Sequence, residues 1–164
     1  IILQKIMINI YMVKRGQKMS NSQTFLNLKN EAVFVDTSAW FSLLNEKDKQ
    51  HEKIKNIYQA LLENNNTLIL SNQILGETFT LIRYKIKNNN LPFKFIDLIS
   101  KSIMIKKIHI EEKTEKRAIK ILENYKEQKF SYVDATSFAV MNSLELKYAL
   151  SLDSHFAAAG FIIP

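Results

Sequence analysis

The chain has 164 residues, 46% hydrophobic and 24% charged, with only three Gly and two Pro; these proportions fit one globular domain and exclude collagen-like or disordered chains. The absence of cysteine excludes disulfides, thiolate metal sites and a cysteine nucleophile, and suits a reducing compartment. Lys and Arg number 23 against 16 Asp and Glu, a net +7 that leans toward a polyanionic partner such as nucleic acid.

That lean is softened by the head of the chain, where Lys5, Lys14, Arg15 and Lys18 occur with no acid among them. Residues 1–13 are mostly apolar, but the run falls short of the roughly 20 residues of a membrane span and contains a lysine. Positive charges follow the apolar stretch, the reverse of a secretory signal. No membrane segment is expected, and the cytoplasm is the expected location. The chain opens on Ile, and Met19 is the expected start. Residues 1–18 are therefore expected to lie outside the functional domain, within an N-terminal extension of residues 1–30 that precedes a domain of residues 31–164.

From Ala32 onward, short β-rich runs alternate with longer helical ones, which predicts an α/β domain with a mainly parallel sheet. AVFVD (32–36) reads as a buried strand and SAWFSLL as the start of a helix. Lys49 to Leu62 reads as an amphipathic helix ended by Asn64, Asn65 and Asn66, and TLILS (67–71) as a second strand. Asn72 is the expected cap of the next helix, whose apolar stripe runs from Ile74 to Ile86. Pro92 suits the first turn of a helix reaching Ser100, and IMIKKIHI (103–110) reads as a third strand. Helices are expected over Glu111 to Tyr125 and Val133 to Leu146, and strands over Tyr148 to Leu152 and Phe161 to Ile163. The sum is a three-layer α/β/α sandwich around five strands.

Four acids stand where the surrounding pattern is apolar, and acids are rarely buried without a partner or a metal. Asp36 ends VFVD and Asp153 follows YALSL, so both should leave the carboxyl edge of a parallel sheet, where α/β folds bind ligands. Glu77 is expected in the first turn of the helix after the second strand, and Asp134 at the opening of VDATSFAVM. Four carboxylates at one edge repel one another unless a divalent cation sits among them, and all-oxygen ligation selects Mg²⁺ or Mn²⁺. Such an ion activates water and stabilises charge on a phosphodiester, which is nuclease chemistry. Acids at helix starts also serve as caps, an explanation for any one of the four but not for all together.

These residues resemble the motifs of PIN-domain ribonucleases, specifically the VapC-type toxins of bacterial toxin–antitoxin pairs. VFVDTSAW, ILGETFTLI, FSYVDATSFAVM and ALSLDSHFAAAGF resemble the family's four motifs in order, from about Val33 to Ile163. The resemblance implies a PIN-like fold and a Mg²⁺- or Mn²⁺-dependent endoribonuclease. It places the acidic quartet on Asp36, Glu77, Asp134 and Asp153, as catalytic residues and metal ligands. It makes Thr37 or Ser38 an orienting or phosphate-contacting hydroxyl, with Thr136 and Ser137 as further hydroxyl candidates. Implied partners are an RNA substrate, tRNA or rRNA, a cognate antitoxin and a second copy of the chain.

Other residues read more plainly. His155 is expected to be a structural donor rather than an RNA contact, and His51 to face solvent. Arg83, Lys85 and Lys87 suit either phosphate contact or a solvated helix face, and both readings stay open. The lysines between Lys101 and Lys120 are interleaved with glutamates and read as surface. Trp40, Leu43, Phe138 and Met141 read as packing. Two alternatives to a toxin nuclease are weighed: a non-catalytic PIN-like binding module, and a housekeeping RNA-processing nuclease. A haloacid-dehalogenase-type phosphotransferase is disfavoured because Ser38 stands where that chemistry needs a second Asp.

Overall fold

The computed structural model describes residues 28–164. The head, and with it the expected start at Met19, lies outside the described residues. Leu28, at the end of the segment read as an extension, is buried in the core.

Four parallel strands form the sheet: β1 (Ala32–Val35), β2 (Thr67–Ser71), β3 (Ile105–Ile108) and β4 (Tyr148–Leu150), in the order β3-β2-β1-β4. β1 and β2 are buried almost throughout, as parallel strands covered on both faces must be. On β3, at the sheet edge, Lys106 and Lys107 are exposed, charges that discourage pairing with another chain. The helices are α1 (Thr37–Leu44), α2 (His51–Glu63), α3 (Asn72–Lys85), α4 (Leu91–Lys101), α5 (Glu112–Asn124), α6 (Tyr132–Ser143) and α7 (Ser154–Ala158).

Strand order decides the layering. The first two crossovers step from β1 to β2 to β3, whereas the third returns past both to β4. Right-handed crossovers then place α1–α4 on one face and α5–α6 on the other. Packing agrees, since α1 meets α2 and α3, α3 meets α4, and α5 meets α6. The α/β/α sandwich is thus as expected, with two aromatic clusters in its core. Trp40 packs against Tyr58 and Phe95 at 5.9 and 5.4 Å between ring centroids. Phe138 meets Phe130 and Phe156 at 5.1 Å each, and Phe156 reaches Phe34 of β1.

Four expectations need correction. The sheet has four strands rather than five: Phe161 to Ile163 contributes one parallel bridge, Tyr148 to Ile162. The turn at Gly160, with φ of 92°, and Pro164, which has no N–H to donate, leave too few residues for a ladder. Ser71, not Asn72, caps α3, its hydroxyl accepting from the Ile74 N–H; Asn72 is already helical and accepts from the Ile110 N–H at 2.8 Å. Because α3 starts there, Glu77 sits in its second turn rather than its first. His51 is buried, its Nδ1 3.0 Å from the Ser42 carbonyl oxygen, so one of its ring nitrogens is satisfied without water.

Truncating Trp40 to Ala should cost about 3–5 kcal/mol, the usual result of deleting a large buried ring. Urea unfolding followed by circular dichroism checks this, and a change under about 1 kcal/mol would show that the cluster is not well packed.

Candidate active site

Asp36 and Asp153 leave adjacent strands. β1 and β4 pair in parallel with Val35 opposite Leu150, and the Asp36 N–H donates to the Leu150 carbonyl at 3.1 Å. Between these strands the order reverses, and at such a switch point the diverging loops open a crevice at the carboxyl edge.

Asp36 is buried and caps α1. Three hydrogen bonds converge on its Oδ2, from the Ser38 N–H (3.1 Å), the Ser38 hydroxyl (2.6 Å) and the Ser151 hydroxyl (3.1 Å). Burial pushes the Asp36 carboxyl above its ordinary pKa, while the donors of Ser38, then Ser151 and Thr37, partly offset that rise by stabilising the charged form. The same hydroxyls tie the two loops together. Ser38 Oγ accepts from the Leu152 N–H at 2.9 Å, and Ser151 Oγ from the Asp153 N–H at 3.0 Å.

Asp153 caps α7 by accepting from the His155 N–H at 2.9 Å. Asp134 is the third residue of α6 and forms a capping box with Ser131, each side chain accepting the other's N–H, at 2.7 and 3.0 Å. His155 stands between the two acids. Its Nδ1 lies 3.2 Å from Asp134 Oδ2 and 3.4 Å from Asp153 Oδ2, and its ring packs edge-on to Phe130 at 5.3 Å. Potential ligand atoms of Asp134, Asp153 and His155 all lie within 4.8 Å of one another.

Glu77 and Asp36 stand outside that trio but are linked to it. Glu77 is exposed, and its Oε2 accepts from the Thr37 hydroxyl at 2.5 Å, beside Asp36 in sequence. Thr136 does not touch an acid. Its hydroxyl is directed at Gln73 Oε1 (2.5 Å) and the Val133 carbonyl (3.0 Å), joining α6 to α3, while Ser137 Oγ is buried without a hydrogen-bond partner.

Two groups important to this geometry are not picked out by the sequence. Ser151 carries a weak signal, a hydroxyl two residues before an acid at a strand end. His155 reads as merely structural in sequence, and the fold brings it to the two carboxylates. The donor set fits a divalent cation: Asp134 and Asp153 present hard oxygen atoms to one place, where their charges repel unless a cation or a donor such as His155 stands between them.

The PIN domain model matches residues 33–162. The chain belongs to the PIN-domain family. The 23S rRNA-specific endonuclease VapC20 of Mycobacterium tuberculosis is 33% identical over 130 residues, 79% of this chain and 95% of that protein. The VapC ribonuclease of Archaeoglobus fulgidus is 32% identical over 129 residues, 77% of this chain and 80% of that one. The crystal structure of VapC20, described as a sarcin-ricin loop cleaving toxin, superimposes with a TM-score of 0.72 at 32% identity, over 79% of this chain and 96% of that one. Within the PIN family, then, the chain is a VapC-type endoribonuclease toxin.

In this PIN domain, replacing Ser151 with Ala removes one donor from a buried carboxylate and the acceptor of the Asp153 N–H. A loss of about 1–3 kcal/mol is expected in metal-free buffer. Denaturant unfolding measures it, and an unchanged midpoint would mean that water takes over both bonds.

Proposed function

We propose that Asp36, Asp134 and Asp153, with Glu77 as a ligand or as a positioner of water, hold Mg²⁺ or Mn²⁺ and form the catalytic centre of this VapC-type ribonuclease. The observation that carries this reading is the convergence of the Asp134 and Asp153 carboxylates at the switch-point edge, with Asp36 joined to Asp153 through one serine hydroxyl. A divalent cation bound there supplies positive charge that acidifies water and stabilises the charge developing on the phosphodiester.

The chain's own residues set the rest. Ser38 and Ser151 donate to the Asp36 carboxylate, favouring its charged form against burial and aiming it, and Thr37 holds Glu77 in place. His155 fixes the two remaining carboxylates relative to each other. In the reaction water adds to phosphorus in line with the departing 3′ oxygen. The P–O3′ bond breaks, the 3′ oxygen takes a proton, and the products carry a 5′-phosphate and a 3′-hydroxyl.

The substrate is a structured RNA, tRNA or rRNA. Because a relative is named as acting on 23S rRNA and as cleaving the sarcin-ricin loop, that loop is the first to test. The biological role is growth inhibition in the cytoplasm, with a small cognate antitoxin as the silencing partner and a homodimer as the working form. Among the described residues, no helix is long and apolar enough to cross a membrane.

Purified full-length chain incubated with ribosomes and with tRNA should give discrete fragments with Mn²⁺ or Mg²⁺ and none with EDTA. The Asp134→Asn variant should be slower by at least ~100-fold, beyond the ~10–100-fold typical of losing an outer partner of a metal site. Cleavage that persists in EDTA, or in that variant at the wild-type rate, would sink the assignment of the metal site.

A further inference from the structure

Away from the acidic edge, a cavity of about 510 Å³ opens where the loop after α1 faces the turn between α3 and α4. Leu44, Ile86 and Leu91 line it, and four lysines surround it, Lys47, Lys85, Lys87 and Lys94, against a single acid, Glu46. Elsewhere on the helices Lys55, Lys101 and Lys116 pair with acids one turn away. Among the described residues no ion pair occupies the four around the cavity.

Helix electrostatics accounts for only one of them. Lys85 lies in the last turn of α3, where a cation offsets the helix dipole, but Lys94 lies in the first turn of α4, where a cation is unfavourable. Lys47 and Lys87 are outside helices altogether. Both loops are held in shape. Asp48 Oδ1 accepts from the Ser42 hydroxyl at 2.9 Å and the Gln50 N–H at 2.8 Å, and Asn88 Oδ1 from the Asn90 N–H at 3.1 Å.

Exposed aromatic rings adjoin two of these lysines in sequence. Tyr84, next to Lys85, is 79% exposed, and Phe93, next to Lys94, is 59% exposed; Phe93 is braced edge-on by Phe79 at 5.6 Å. Unpaired cations interleaved with exposed rings suit single-stranded nucleic acid, whose phosphates take the charges while its bases stack on the rings. An acidic peptide matches only the charges.

Position supports the same ligand. α1 begins at Thr37 and reaches the cavity at Leu44, and α3 runs from Glu77 to Lys85, distances of about 10 and 12 Å at ~1.5 Å per helical residue. That is at most about three nucleotide steps, taking the ~3.4 Å per strand of a stacked duplex as the shortest step. We infer that this basic cavity, with the exposed rings of Tyr84 and Phe93 on the same two helices, is a second RNA-binding site, holding the phosphates of an unpaired stretch of substrate a few nucleotides from the bond that is cut. The inference rests on the nuclease reading and deepens it.

The test compares wild type with the Lys85→Gln/Lys87→Gln/Lys94→Gln triple variant and with Tyr84→Ala. The probe is a labelled single-stranded RNA of about 20 nucleotides, longer than the ~4–16 a single-strand groove covers, measured in EDTA so that binding is read without cleavage. The triple variant should bind roughly tenfold to a hundredfold more weakly. Its log K against log salt should flatten by ~0.7 for each phosphate no longer neutralised, with an unchanged unfolding midpoint. Tyr84→Ala should lose affinity with the slope intact. In Mn²⁺ the triple variant should raise KM for long RNA and leave kcat in place. Equal affinity and slope in all three proteins would overturn the inference while leaving the nuclease standing. So would a triple variant that keeps RNA affinity but no longer self-associates by light scattering, since the surface would then be a protein contact. A wild type that neither binds nor cuts RNA would remove both readings.

Discussion

A carboxylate buried between two parallel strands organises this molecule. Asp36 is the last residue before the chain turns from β1 into α1, and its Oδ2 collects donors from both loops that meet there. An ionised group in that position is tolerable only with such donors, which Ser38 and Ser151 supply. Through Ser151 the network passes to Asp153, then to His155 and Asp134. Through Thr37 it reaches Glu77. Four acids from four separate stretches of sequence are thereby tied into one set of hydrogen bonds.

How much of this is readable without coordinates depends on the reach of each interaction. Asp36 after VFV and Asp153 after YALSL stand out because an acid ending an apolar strand has no packing role there, and their adjacency follows once β1 and β4 pair. The α/β alternation is equally local, so the layers are legible. What sequence leaves out is tertiary. His51 is buried because the Ser42 carbonyl reaches it across a loop, and no local pattern encodes that contact. His155 reads in sequence as a structural donor without a named partner, and only the fold brings Asp134 within 3.2 Å of it. The start of α3 is misjudged by one residue because Ser71 ends β2 and caps the helix at once. The fifth strand fails because alternation counts apolar residues, whereas a ladder also needs donors and length.

The two helical layers do different work. α5, α6 and α7, with the rings of Phe130, Phe138 and Phe156, hold His155 and Asp134 against the sheet. α6 is buried over most of its length, which suits a helix that carries one site residue and cannot shift. The opposite layer carries Glu77 in the open, on a helix with an exposed basic end. One layer is therefore rigid and anionic at the crevice, and the other is solvated and carries exposed positive charge at the far end of the helix that bears Glu77.

Three of the acids also begin helices: Asp36 caps α1, Asp153 caps α7, and Asp134 completes the capping box of α6. An amide in place of any of them keeps an oxygen for the waiting N–H and discards the charge. If these acids are the catalytic ones proposed above, a chain of this kind can fall silent by one substitution and still fold, so its inactive descendants would persist as intact domains rather than vanish as misfolded ones.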